Sequence, residues 1–210
     1  MIRVLIADDH AVVRQGLKQI LGDAREMVVA GEATNGQEVL DKVRAEAWDV
    51  VVLDISMPDR SGLDVLKVVK AERPKLPVLV LSMYSEDQYA MRVLKAGASG
   101  YLTKDSAAEE LVKAIRKVLS GGRYVSQSLA EKLAFEIGTD SGKLPHETLS
   151  DREFQVLRLI AAGEPVKEIA ARLSLSVKTV STYRARLLEK MNLGTNAELI
   201  HYAIQNHLID

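Results

Sequence analysis

Through the first 120 residues, short apolar runs alternate with stretches whose apolar positions recur every three or four residues. The runs fall at 3–7, 28–33, 50–53, 78–81 and 100–103. Between them lie the stripes Val13/Leu17/Ile20/Leu21, Val39/Leu40/Val43, Leu63/Leu66/Val69, Tyr89/Val93/Leu94 and Leu111/Ile115/Val118. Helical spacing makes the stripes amphipathic helices, and unbroken apolar runs of this length read as strands buried on both faces. Their alternation predicts βαβ units and an α/β doubly wound, five-stranded parallel sheet. Thr34-x-x-Gln37, Ser85-x-x-Gln88 and Ser106-x-x-Glu109 have capping-box spacing and predict three helix starts.

The pattern changes after Leu119, where Ser120-Gly121-Gly122 is a helix stop. Residues 121–148 read as a linker with one helix at about 126–137 (Leu129, Leu133, Ile137), followed by a polar tether bearing Gly and Pro. Residues 149–210 contain only helical patterns, predicting a small all-α, four-helix domain. Ser150-x-x-Glu153 opens the first helix, Pro165 suits the first turn of the second, Ser176 caps a longer helix over 177–191, and Thr195-x-x-Glu198 opens the last. Two helices joined across residues 173–176 make a helix-turn-helix. The expected organisation is therefore a domain at 1–120, a linker at 121–148 and a second domain at 149–210.

Composition narrows the function classes. A hydrophobic fraction of 47% with 27% charged residues describes a globular chain, and no apolar run approaches bilayer length. The opening residues run directly into Asp8-Asp9 without a signal-peptide pattern, so a cytoplasmic protein with no membrane partner is expected. The absence of cysteine removes disulfides, thiolate metal sites and cysteine nucleophiles. Net charge is −1, with 17 Lys+Arg against 18 Asp+Glu up to residue 120 and 11 against 11 beyond it. A nucleic-acid contact must then be local. Residues 176–191, with four Lys/Arg against one Glu, are where positive charge concentrates.

Candidate chemistry collects at the strand ends. Asp8-Asp9 follow the first strand, Asp54 ends the third, Ser82 the fourth and Thr103-Lys104 the fifth. In a parallel sheet these ends share one edge, where open α/β sheets bind ligands. Clustered carboxylates repel unless a cation joins them, and an all-oxygen set suits Mg2+. A hydroxyl and an ammonium on the same edge are what a phosphoryl group requires. One alternative is a phosphatase of the haloacid dehalogenase type, but its general-acid Asp, two positions after the nucleophile, is here Ser56.

In order and residue for residue, Asp8-Asp9, Asp54, Ser82 and Lys104 resemble the conserved set of the receiver domain of two-component response regulators. Met57-Pro58, Gly62 and Ala96-Gly97-Ala98-x-Gly100-Tyr101 resemble its loops. The resemblance implies a flavodoxin-like strand order of 2-1-3-4-5, with Asp54 as phosphoacceptor from a sensor histidine kinase and Lys104 and Ser82 contacting the phosphoryl group. It implies Mg2+ held by Asp9, Asp54 and the Ser56 carbonyl, with Asp8 acting more through water. It also implies a switch pair, Ser82 and Tyr101, in which the hydroxyl moves toward the phosphoryl group and Tyr101 turns into the vacated space. No enzymatic turnover is expected beyond slow self-dephosphorylation.

The second domain has its own resemblance. Ser150-x-Arg152-Glu153-x-x-Val156-Leu157, Lys167-Glu168-Ile169-Ala170, Ser176-x-Lys178-Thr179-Val180 and Leu187-x-x-Lys190-Met191 resemble the LuxR-type helix-turn-helix. Together with the first domain this resembles the NarL/FixJ family, most closely its virulence and carbon-storage regulators. Pro165-Val166 and Tyr183 depart from the common pattern. On helix 177–191, Val177, Val180, Leu187, Leu188 and Met191 are expected inward, and Lys178, Ser181, Thr182 and Ala185 toward bases. Thr179, Arg184 and Arg186 complete the expected DNA-binding set, with the two arginines toward phosphates. One helix reads few base pairs, so a homodimer on promoter DNA is expected, joined by resemblance through Leu199, Ile200, Ala203 and Ile204. RNA polymerase is a further expected partner.

Overall fold

A computed structural model describes residues 1–57, 60–127, 129–131 and 144–209. The chain divides into two compact units, Met1–Ala134 and Phe135–Asp210. In the first, β1 (Ile2–Ala7), β2 (Met27–Ala33), β3 (Val50–Asp54), β4 (Val78–Ser82) and β5 (Gly100–Thr103) form one parallel sheet of order β2-β1-β3-β4-β5. Each residue of β3 and β4 is buried, as strands rich in Val and Leu and covered on both faces should be. Four of the five strands extend beyond their apolar runs by one residue, so Asp54 and Ser82 are strand residues themselves.

The helices α1 (Ala11–Gly22), α2 (Gly36–Ala45), α3 (Gly62–Glu72), α4 (Glu86–Lys95) and α5 (Ala107–Leu119) supply the two outer layers. On one face Leu17 and Leu21 of α1 and Leu111, Ile115 and Val118 of α5 close over Val4, Ile6, Val50, Val52, Leu79 and Leu81. Each such side chain contributes about 1.5–3 kcal/mol of transfer free energy. The alternate strand residues, including Leu5, Val51, Leu53 and Val80, are also buried, beneath α2, α3 and α4. From β1 the chain steps out to β2 and then returns to the other side of β1 for β3. That reversal opens a crevice at the carboxyl ends of β1 and β3. It brings the residues after Ala7 beside Asp54.

The three expected capping boxes do not form as spaced. Asn35, not Thr34, caps α2 by accepting from the Glu38 N–H, and Glu38 reaches back to the Thr34 N–H at 2.8 Å. Asn is as good an N-cap as Thr, and it places an acid three residues on. Ser85 and Ser106 occupy N-cap positions with no side-chain bond to their helices; Ser106 Oγ donates instead to the Thr103 carbonyl.

Residues past 120 continue on this unit. Tyr124 donates its N–H to the Ser99 carbonyl at 2.9 Å and accepts from the Tyr101 N–H at 3.1 Å, covering the outer edge of β5. Gly100 is required here, because a Cβ would stand 2.6 Å from the Tyr124 carbonyl oxygen. Ser126 Oγ bonds Glu86 and Leu129 is buried. Of the helix expected at 126–137, residues 127 and 129–131 are helical, and 132–137 lie outside the described residues, as do 138–143 of the tether.

The second unit has a 3-10 turn at Pro145–Thr148, then α6 (Asp151–Ala161), α7 (Val166–Arg172), α8 (Val177–Met191) and α9 (Asn196–Gln205). α6 is central and packs against the other three helices. Phe154, Leu157, Ile169, Val180, Leu187, Leu199 and Ala203 form its core. The Ser150–Glu153 capping box is complete, and the Glu153 carboxylate also holds Lys190 Nζ of α8 at 2.7 Å. Pro165 precedes α7 as its N-cap, and Ser176 caps α8 through the Thr179 N–H. Val177 is a correction: it is 47% exposed, not inward. It is the first residue of α8, and Val180, one turn on, is the first apolar side chain there to reach the core.

Candidate functional site

The register of the sheet assembles the polar edge. Asp54 pairs with Leu81 and Ser82 with Thr103, so the polar ends of β3, β4 and β5 step past one another in order. The Lys104 N–H donates to the Ser82 carbonyl at 2.8 Å, which pins the backbone from which Lys104 projects. Its Nζ then lies 2.6 Å from Asp8 Oδ2 and 2.7 Å from Asp54 Oδ2, with both carboxylate side chains essentially unexposed. Gly62 makes this packing feasible: a Cβ there would stand 2.1 Å from the Asp54 carbonyl oxygen. The Ser56 N–H donates to Asp54 Oδ1 at 3.0 Å.

The electrostatics follow from burial. Desolvation raises the Asp54 carboxyl above its ordinary value, against the smaller pull of Lys104 and the Ser56 N–H. Burial alone would lower Lys104, but Asp54 and Asp8 together lift it above the ordinary lysine value. The edge is therefore short of positive charge, with three carboxylates around one ammonium.

Asp8, Asp9, His10 and Asp54 each place a ligand atom within 4.8 Å of the others. Asp8 Oδ2 and Asp9 Oδ1 are buried oxygens with no aligned hydrogen bond among the described residues, although the Lys104 ammonium and the His10 ring stand close to them. Oxygens left in that condition fit a divalent cation. His10 was not singled out from the sequence. Its Nδ1 lies 2.9 Å from Asp9 Oδ1, and the only signal for it was adjacency to the acidic pair. Arg14 was missed too; its guanidinium donates to the Asp8 and Asp9 carbonyls and fixes the turn that presents them.

The two expected switch residues are neighbours of the edge. Ser82 is fully buried, and its Oγ accepts from the Tyr84 N–H at 3.1 Å. Tyr101 already lies inside, with its hydroxyl donating to the Tyr84 carbonyl at 2.7 Å. Tyr101 is thus inward in this structure while Ser82 is bonded to the loop.

In the second unit α8 presents Lys178, Ser181, Thr182, Ala185 and Arg186 to the exterior. Two members of the expected set are placed differently. Thr179 is half-buried, with Oγ1 2.8 Å from Ser176 Oγ, and so belongs to the helix cap. Arg184 is also half-buried, and its Nε donates to Asn196 Oδ1 at 2.7 Å. Of the expected pairing residues, Leu199 and Ala203 are corrected: both are fully buried in their own unit and close its core, which leaves them no surface for a partner. Ile204 is 58% exposed and Ile200 half-buried.

A parallel sheet whose edge carries an acidic pair, a buried acceptor carboxylate, a hydroxyl and a lysine defines a receiver domain, and a four-helix unit presenting a polar helix defines a helix-turn-helix. Residues 4–116 match the response regulator receiver domain, and residues 147–203 match the luxR family of bacterial regulatory proteins. The chain belongs to the NarL/FixJ family of response regulators and is a response-regulator transcription factor. It is 39% identical to the response regulator UvrY of Escherichia coli K12, over 99% of this chain and 96% of that protein. It is equally 39% identical to the response regulator GacA of Pseudomonas protegens, over 100% and 99%. Among solved structures, RcsB of Salmonella enterica serovar Typhimurium, bound to promoter rprA in the presence of the phosphomimetic BeF3-, superposes with a TM-score of 0.65. That match has 29% identity and covers 96% of this chain and 98% of that one. No helix among the described residues is long and apolar enough to cross a membrane.

Proposed function

We propose that Asp54 accepts a phosphoryl group from the phosphohistidine of a sensor histidine kinase, and that this controls binding of promoter DNA by α8 in a cytoplasmic homodimer. The observation that carries the reading is Lys104 bridging Asp8 and Asp54 at the crevice. Attack by an Asp54 carboxylate oxygen forms the O–P bond as the P–N bond to the donor imidazole breaks. Lys104, already at this carboxylate, pairs with a phosphoryl oxygen as charge leaves the donor, and the Ser82 hydroxyl supplies a second contact. Asp8, Asp9, Asp54 and Ser56 would hold Mg2+, which neutralises charge on the phosphoryl oxygens when bound. The chain then stores a phosphoryl group and turns over no substrate of its own.

The RcsB–DNA complexes support the DNA half of the reading, as does a helix whose exposed residues are small, polar or basic. Ile204, with Ile200 beside it, is the apolar surface left on α9 for pairing two copies on an inverted repeat, and RNA polymerase is the partner such a complex would recruit. The test is incubation with acetyl phosphate and Mg2+, read on a phosphate-affinity gel and by promoter-fragment shift. Wild type should be labelled and bind more tightly, while Asp54→Asn should be neither labelled nor stimulated. Stable, acid-labile phosphate in Asp54→Asn would overturn the assignment.

A further inference from the structure

Two hydroxyls on the exposed face of α8 are already committed to their own helix. Ser181 Oγ donates to the Val177 carbonyl and Thr182 Oγ1 to the Lys178 carbonyl, each at 2.9 Å. Both side chains are nonetheless exposed. A hydroxyl has one proton and two lone pairs. With the proton directed back along the helix, each residue presents only acceptors outward.

The cations on the same face have the opposite character. Lys178 and Arg186 are exposed donors that form no ion pair among the described residues. Ala185, one turn beyond Ser181 and Thr182, offers a methyl group and no polar atom. The face is therefore divided by polarity along the helix: a donor one turn before the acceptors, and a donor beside a short apolar side chain one turn beyond them.

Resting on the proposed DNA-binding reading, we infer that Ser181 and Thr182 specify bases by their exocyclic amino groups. In the major groove the only donors are adenine N6 and cytosine N4, whereas guanine O6 and N7 and thymine O4 are acceptors. Turning either hydroxyl proton toward an acceptor edge would give up an intrahelical bond already made, while meeting an amino group gives up nothing. Ser181 and Thr182 thus select adenine or cytosine on the strand they face, and the acceptor edges of guanine fall to Lys178. Because the two hydroxyls are adjacent in sequence, the two selected bases lie close together in one half-site.

The experiment uses the full-length phosphorylated protein and a random-core duplex library. Wild type should select a half-site, and Thr182→Val and Ser181→Ala should each relax it at one base pair. In the selected duplex, replacing the adenine at that position by purine, or the cytosine by 2-pyrimidinone, removes only the amino group. Wild-type affinity should fall at least about fivefold on that change, while the matching variant should change less than twofold. Replacing adenine by 7-deazaadenine, which removes only an acceptor, should leave wild-type affinity unaltered. These base changes leave the protein intact, so a variant that misfolds does not spoil the test. A selected half-site that is indifferent to amino-group removal, or sensitive to the deaza change, overturns the polarity assignment and leaves DNA binding standing. Failure of wild type to select any sequence overturns both.

Discussion

Arg184 Nε donates to Asn196 Oδ1 at 2.7 Å, so a cation of the recognition helix is held by the first residue of the following helix. This separates the two arginines that sequence spacing treats alike. Arg184→Ala should destabilise the second unit by about 0.5–1.5 kcal/mol, the usual worth of such a bond, seen as a lower denaturant midpoint for the chain. Arg186, exposed and unpaired among the described residues, should behave as a phosphate contact. Arg186→Ala should leave stability unchanged and reduce the salt slope of DNA binding by about one. An unchanged midpoint for Arg184→Ala would mean the Asn196 bond contributes nothing.

Asp54→Asn should be more stable than wild type at neutral pH in the absence of Mg2+. Burial raises the Asp54 carboxyl, so ionised Asp54 is disfavoured in the folded chain relative to the unfolded one. The two proteins should match at acid pH, diverge as pH rises through the ordinary carboxylate range, and hold a constant difference above the raised folded value. Mg2+ should narrow the gap. Thermal unfolding at a series of pH values checks this, and a wild type more stable than the variant at pH 7 would contradict it.

Lys104→Met should lose about 3 kcal/mol of stability near neutral pH, because it leaves two buried carboxylates without their shared cation. Since the folded Lys104 is held above its ordinary value, its contribution is complete below that value and disappears as pH rises through the folded one. The wild-type advantage should therefore persist at pH 8 and close in strong alkali. Isothermal titration should show Mg2+ still binding to the variant.

Glu153→Gln should destabilise the second unit by about 1 kcal/mol through loss of the charged cap. Burial alone would raise the Glu153 carboxyl, but Lys190 and the Ser150 N–H hold it below the ordinary value. Its contribution is thus present above the ordinary carboxylate pKa and lost as pH falls through the depressed folded value. The difference in denaturant midpoint between wild type and variant should be full at pH 7 and shrink as the pH is lowered below the ordinary carboxylate range.

Both fold classes and the polar edge were legible in the order of residues, because they depend on periodicity and on which types end a strand. Apolar runs separated by helical stripes admit few arrangements other than a parallel sheet. Asp8, Asp9, Asp54, Ser82 and Lys104 fall at strand ends whatever the strand order, and one edge collects them. The helix-turn-helix was legible for a similar reason, through Ser150, Ser176 and Thr195, which cap the expected helices.

Tertiary structure decided which side of a helix each remaining residue faces and what it meets there. Spacing on α9 gives Leu199, Ile200, Ala203 and Ile204 as one stripe, but a stripe states only that a face is apolar; α6 takes Leu199 and Ala203 and leaves Ile204 outside. Thr34 and Asn35 are both acceptable caps in sequence, and the backbone at 35 settled between them. Arg184 meets Asn196, twelve residues away, and Lys104 meets Asp54, fifty residues away. Partners at such separations are set by packing and strand register, which no local pattern encodes.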